Sequence, residues 1–213
     1  MYNYPHYKEQ DPEAVYRFMQ DYPFVNLIGT NAAGRTELTQ VPVLTEKREN
    51  KIFISGHIAR KSTHHQALQD NPEALVIYTG PHCYVSGSWY TGNPYQGSTW
   101  NYISVHARGT VRWMREEEMT ELLRRLSLHF ENGNKSSTTY YDNLPAAYLD
   151  KLLTAIVGFE IEVRELDNVL KLSQNRDELS YDNIIRELDR QEGDARTIAG
   201  LMKNRKPLVF PAK

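Results

Sequence analysis

The chain has 213 residues, 40% hydrophobic and 24% charged, long enough to bury a substantial core. Its formal net charge of −2 supplies no global field for nucleic acid or an anionic membrane, so any basic patch has to be assembled by folding. The single cysteine, Cys83, excludes an intrachain disulfide. No apolar run approaches the roughly 20 residues of a membrane span, and the N-terminal MYNYPHYKEQDP lacks the charge-then-apolar order of a signal peptide. The expected setting is therefore the cytoplasm.

Asp11-Pro12-Glu13 predicts a helix start, with a capping carboxylate, proline in the first turn and an acid behind it. FVNLIGT (24–30) and TELTQVPVL (36–44), joined by NAAGR, read as a hairpin, and a second polar turn, EKREN, leads to the strand KIFISGH (51–57). A short amphipathic helix follows Ser62. EALVIYTG (73–80) reads as a buried strand bounded by Asn71-Pro72 and Gly80-Pro81. CYVSGSWY (83–90) and STWNYISVHARGTVRWM (98–114) are β-rich stretches joined by the turn-forming TGNPYQG.

Met119, Leu122, Leu123, Leu126 and Phe130 fall at helical spacing on one face, and Leu149, Leu152, Leu153 and Ile156 repeat the pattern after a loop. VGFEIEVRE (157–165) alternates as a half-solvated antiparallel strand, and VLKLSQN (169–175) is a last short strand before helices at about 178–191 and 195–205. The expected architecture is an antiparallel β-barrel of about six to eight strands with about five peripheral helices, in the α+β class, because short turns join the strands.

The stretch SGHIARKSTHHQALQDNP (55–72) places Arg60 and Lys61 at the mouth of a helix. Positive charge there is unfavourable by about 0.3–1 kcal/mol per cation unless an anion intervenes. The plain reading is a Ser62 cap with two solvated cations. A phosphate reverses the sign, because backbone amides, the Ser62 and Thr63 hydroxyls and both cations can converge on one dianion, with Ser55 near by.

FISGHIARKSTHHQ, NPEALVIYTGPHCYVSGSWY, STWNYISVHARG, GFEIEV and KLSQNR, in that order, resemble the PaiB-type FMN-binding split-barrel family of negative transcriptional regulators. That family is related to pyridoxamine 5′-phosphate oxidases and flavin reductases. The resemblance runs from about Tyr2 to Arg205. It implies a single FMN-binding split-barrel domain over 1–213, with a barrel core at about 22–176 and a C-terminal helical hairpin at about 177–206. It implies that Arg60, Lys61 and Ser62, with Ser55 at the strand end, grip the FMN phosphate. It further implies that the backbone of Thr39, Gln40 and Val41 meets the isoalloxazine edge, and that Gln174 and Asn175 lie near the flavin. Thr99, Trp100 and Asn101 then face the cofactor from either subunit of a homodimer. Many members read Ala-Asn-Pro with a tryptophan soon after, where this chain has Lys61-Ser62-Thr63-His64-His65.

Two roles follow from the resemblance: a flavin-dependent oxidoreductase or electron-transfer protein served by a small-molecule electron donor, or a regulator in which FMN is structural or sensory. The residues nominate no general acid or base. A metal site is disfavoured, because His64 and His65 are adjacent on a helix and diverge, with no HExxH or CxxC beside them. Cys83 in a strand reads as a small hydrophobe rather than a nucleophile. Trp89, Tyr90, Trp100 and Tyr102 can stack on a flat ligand or fill the core. The last two helices have the outline of a helix-turn-helix, with Lys203, Arg205 and Lys206 at the end of the second. The first of the two is acidic, however, so DNA is a partner without support in the charge.

Overall fold

A computed structural model describes residues 2–93 and 95–211; Pro94 of the predicted TGNPYQG turn lies outside the described residues. Helix α1 (Pro12–Asp21) starts where expected, with the Glu13 amide donating to the Asp11 carboxylate at 2.9 Å. Strands β1 (Phe24–Thr30) and β2 (Thr36–Arg48) pair in antiparallel register from Phe24 opposite Pro42 to Thr30 opposite Thr36. β2 runs four residues beyond its expected end. The turn to β3 (Lys51–Ala59) is only Glu49-Asn50, with φ of 49° and 65°, the backbone of a two-residue hairpin. The polar residues read as turn are instead outward strand positions, and Arg48 is held by Glu160 at 2.5 Å.

Helix α2 (Thr63–Asp70) precedes β4 (Glu73–Val85), which passes straight through Gly80-Pro81 where a break was expected. Gly80 is strand-compatible because the Phe18 ring fills the place of its missing side chain, 2.5 Å from an ideal Cβ. Residues 87–89 form a 3-10 turn rather than more strand, and β5 spans Thr99–Trp113. Helices α3 (Glu116–Phe130) and α4 (Ala146–Ala155) follow. β6 (Ile156–Lys171) is one strand where two were expected, because its exposed centre, Arg164 to Asp167, has the composition of a loop. Helices α5 (Glu178–Asp189) and α6 (Asp194–Val209) complete the chain.

The strands close in the order β1-β2-β3-β6-β5-β4, an antiparallel barrel of six strands and six α-helices among the described residues. β4 closes onto β1 with Leu27 opposite Val76.

The chain divides into two compact units. One comprises residues 19–78 and 106–167. Its barrel interior is filled by Leu27, Val43, Ile54, Val76, Phe159 and Ile161, and the buried Tyr78 hydroxyl meets Thr45 at 2.8 Å. The other comprises residues 1–18, 79–105 and 168–213. In it Tyr181, Ile184 and Leu188 of α5 and Ile198, Ala199 and Met202 of α6 pack into one core with Cys83, Val85 and Ile103. The apolar faces of both helices are used there. No helix among the described residues is long and apolar enough to cross a membrane.

Candidate functional site

β3 ends at Ala59, and three residues turn the chain into α2. Lys61 makes that turn with φ of 64°, a left-handed conformation uncommon for a lysine. Its amide donates to His65 Nδ1 at 3.1 Å, which ties the strained residue to the helix it precedes. The Ser62 hydroxyl accepts the His65 amide at 3.1 Å and donates to the Ala59 carbonyl at 2.9 Å. Ser62 is thus the cap, with its hydroxyl engaged inside the turn. The Thr63 and His64 amides remain the open donors of the helix mouth.

The Arg60 and Lys61 side chains are exposed, and among the described residues neither has a hydrogen-bond or ion-pair partner. This sets them apart from most arginines of the same unit. Arg48 and Arg112 hold Glu160, Arg124 holds Asp142, Arg125 holds Glu46 and Arg164 holds Glu73. One carboxylate of the chain does stand at the mouth: Glu37 accepts from the Thr63 hydroxyl at 2.9 Å and pairs with Arg35 at 2.9 Å. It offsets part of the helix-end charge and occupies Thr63, but leaves two adjacent cations and two amides unanswered. That donor set fits a dianionic phosphate.

Two histidines organise the site from beneath. His64 and His65 are buried, 3% and 7% exposed. His64 Nδ1 lies 2.7 Å from Thr39 Oγ1, which moors α2 to β2 beside Gln40 and Val41. The signal was in the sequence: His64, Ala67 and Leu68 share one helical face at i, i+3 and i+4. Of the other predicted residues in this unit, Gln40 is exposed, Val41 is buried, and Ser55 is buried on β3 opposite Leu44 and Glu160.

Burial holds His57, His64 and His65 below the usual imidazole pKa, aided at His65 by the Arg60 charge and opposed at His64 by Glu37. A depressed folded pKa means that the unfolded chain takes up protons first as pH falls below 6.5. Stability is therefore full above that pH and declines between 6.5 and the lower folded values, before the lowered carboxylates titrate. The melting temperature is expected to fall from about pH 6.5 to about pH 5. His64→Asn, which keeps a polar atom near Nδ1 but cannot titrate, should flatten part of that fall in a thermal scan. An unchanged slope removes His64 from the account.

The remaining predicted residues lie in the other unit, where the TWN segment and KLSQNR are joined by hydrogen bonds. Lys171 donates to Thr99 Oγ1 and, at 2.6 Å, to the Trp100 carbonyl. Burial and the nearby Arg176 charge lower its pKa. Asn101, fully buried, accepts from Ser173 at 3.0 Å. Gln174 folds back on the end of β6, taking the Leu172 amide at 2.7 Å and donating to the Leu170 carbonyl at 2.6 Å, while Asn175 is exposed. Arg176 lies 3.9 Å over the Tyr90 ring and reaches Gln96 at 2.5 Å. Tyr90 is therefore core, whereas Trp100 is 54% exposed beside Tyr84 and His82. Burial, with Asp194 near by, pushes the Cys83 thiol up to about 11, where it is neutral and unreactive. No group of three His, Cys, Asp or Glu among the described residues could hold a metal.

A family model described as "Putative FMN-binding domain" matches residues 1–165. The chain belongs to this FMN-binding family. Within it, the protease synthase and sporulation protein PAI 2 of Bacillus subtilis is 31% identical over 206 residues, covering 96% of this chain and 98% of that protein. An uncharacterized protein of Emericella nidulans is 27% identical over 170 residues, covering 73% of this chain and 68% of its own length. The fold is shared with an FAD and heme binding protein of Mycobacterium smegmatis, at TM-score 0.56 and 16% identity, over 76% of this chain and 72% of that one. It is also shared with a flavocytochrome of Azotobacter vinelandii, at TM-score 0.54 and 16% identity, over 80% and 72%. At that identity the last two bear on the fold alone.

Proposed function

We propose that the FMN phosphate sits at the mouth of α2, bound by Arg60, Lys61 and the Thr63 and His64 amides, and that the chain acts as a flavin-dependent oxidoreductase or electron-transfer protein. The observation that carries the reading is the unpartnered Arg60–Lys61 pair at a helix N-terminus. Bound FMN supplies hydride and single-electron chemistry. The chain's own residues bind and orient. Arg60 and Lys61 neutralise the dianion, and Ser62 shapes the turn without touching it. His65 fixes the Lys61 backbone, and the Thr39–His64 bond sets β2 alongside the helix.

A second role stands beside it, a regulator in which FMN is structural or sensory, the Bacillus subtilis relative being named a protease synthase and sporulation protein. Its DNA contact does not fit α6. Lys203 pairs with Asp189, Arg205 with Glu9, and Lys206 with Glu178 and Asp182, so the basic end that a recognition helix needs is engaged inside the chain. The two roles separate in an anaerobic titration of the FMN-loaded protein. NADH or NADPH should bleach the visible flavin band, and air should restore it over repeated cycles. A flavin that stays oxidised with both donors sinks the oxidoreductase reading and leaves the regulator.

A further inference from the structure

Behind β2 and β3 the first unit holds a cavity of ≈ 250 Å³, walled by Pro42, Leu123, Leu126, Phe130, Leu144 and Leu152. Its walls are almost wholly apolar. Helices α3 and α4 bring leucines, β2 brings Pro42, the loop before α4 brings Leu144, and β3 contributes His57, whose side chain alternates away from the barrel interior occupied by Ile54 and Ile58. An apolar cavity of about 150 Å³ is enough for a benzene ring, so this one suits a molecule of about two rings.

His57 gives the cavity its polarity. Its Nδ1 is shut away from solvent with no partner, and no contact engages Nε2 among the described residues. An orphaned buried N–H is rarer than an orphaned acceptor, so the ring proton belongs on Nε2, where a ligand can accept it. Burial lowers the pKa of His57, in keeping with a neutral ring. The Ser127 and Glu131 side chains of the wall are both occupied. The Ser127 hydroxyl donates to the Arg124 carbonyl and accepts the Tyr141 amide, and Glu131 accepts from Thr139 at 2.6 Å. That bond, with Ser137, holds the Glu131 carboxyl ionised, so an anion is repelled at the rim.

We infer that this cavity is a binding site for a small uncharged aromatic molecule of about two rings, bearing one carbonyl-type acceptor for His57. The site is not the FMN phosphate cradle, since a dianion and a ribityl chain are foreign to a leucine-walled space with a carboxylate at its edge.

Prodan, an uncharged naphthalene ketone whose emission shifts blue in apolar surroundings, tests the inference. It should bind saturably at one site. Leu144→Trp, on a half-buried loop position, and Leu152→Trp, on α4, each fill the space and should weaken binding at least tenfold, with the fold checked by circular dichroism. His57→Phe should weaken prodan about tenfold, the loss of one hydrogen bond, but leave the ketone-free dimethylaminonaphthalene unchanged. Arg60→Ala with Lys61→Ala should leave prodan affinity as it was. Binding that survives both tryptophans overturns the cavity site. A His57→Phe effect equal for both probes overturns the acceptor, and prodan loss in the Arg60/Lys61 variant assigns the probe to the phosphate cradle instead.

Discussion

Arg60→Ala combined with Lys61→Ala is expected to weaken FMN binding about a hundredfold while leaving binding of riboflavin, which lacks the phosphate, nearly unchanged. A hydrogen bond to a charged group contributes about 1.5–3 kcal/mol, and two at an exposed site sum to roughly 3 kcal/mol after solvent screening. That is about two powers of ten in affinity. The fold should not suffer. Both side chains are exposed and, among the described residues, unpartnered, so the stability change should stay within about 0.5 kcal/mol. Glu37→Gln is the complementary variant. It removes the Glu37 carboxylate from the mouth and should tighten FMN several-fold, since Glu37 accepts from Thr63 where the phosphate charge is to lie. Flavin fluorescence titration measures all three. If the double variant binds FMN like the parent, or loses riboflavin equally, the phosphate lies elsewhere.

The fold is legible in the sequence where one residue type has one job. Asp11, Pro12 and Ser62 marked helix starts, and the alternation of Val157, Phe159 and Ile161 marked a strand, because capping and pleating are local. Elements that a distant contact decides are not legible in this way. Gly80-Pro81 punctuates β4 on paper, but Phe18, far off in sequence, fills the glycine and the strand continues. The polar run Arg164–Asp167 has loop composition, yet stays in β6, with Arg164 paired to Glu73.

The helix mouth shows the same division. Arg60 and Lys61 were legible as misplaced charge, whereas Glu37 was not, because only the β1–β2 hairpin brings it to Thr63. The resemblance implies Gln174 near the flavin, and its side-chain amide bonds the backbone of Leu170 and Leu172 at the end of β6. Ordered motifs reveal which segments act together without saying whether they touch a ligand or each other.

Gly109→Ala tests that distinction at the largest expected cost in stability. Gly109 closes the VHARG motif, and a motif glycine can serve a cofactor or a neighbouring backbone. Here a Cβ would stand 2.1 Å from the Glu162 carbonyl oxygen and 2.7 Å from Ile161 Cγ2. Neither neighbour can swing away. The carbonyl belongs to β6, which adjoins β5 in the closed barrel, and Ile161 is fully buried. One added methyl group therefore has to push β5 and β6 apart in a barrel that has no free edge to absorb the shift. Overpacking against mobile side chains costs about 1–3 kcal/mol, and against backbone the upper end or beyond is expected, about 3–4 kcal/mol. At about 2–4 °C per kcal/mol for a chain of this size, the melting temperature should drop by roughly 10 °C. Gly200→Ala is the control of opposite sign. It lies in α6 with nothing within 4 Å of a Cβ, and should gain up to about 1 kcal/mol from helix propensity alone. Thermal melts with and without FMN then decide the role of Gly109. A loss of the same size in both shows that it makes room for β6, whereas a loss confined to the FMN-loaded protein makes it a cofactor contact and overturns the structural assignment.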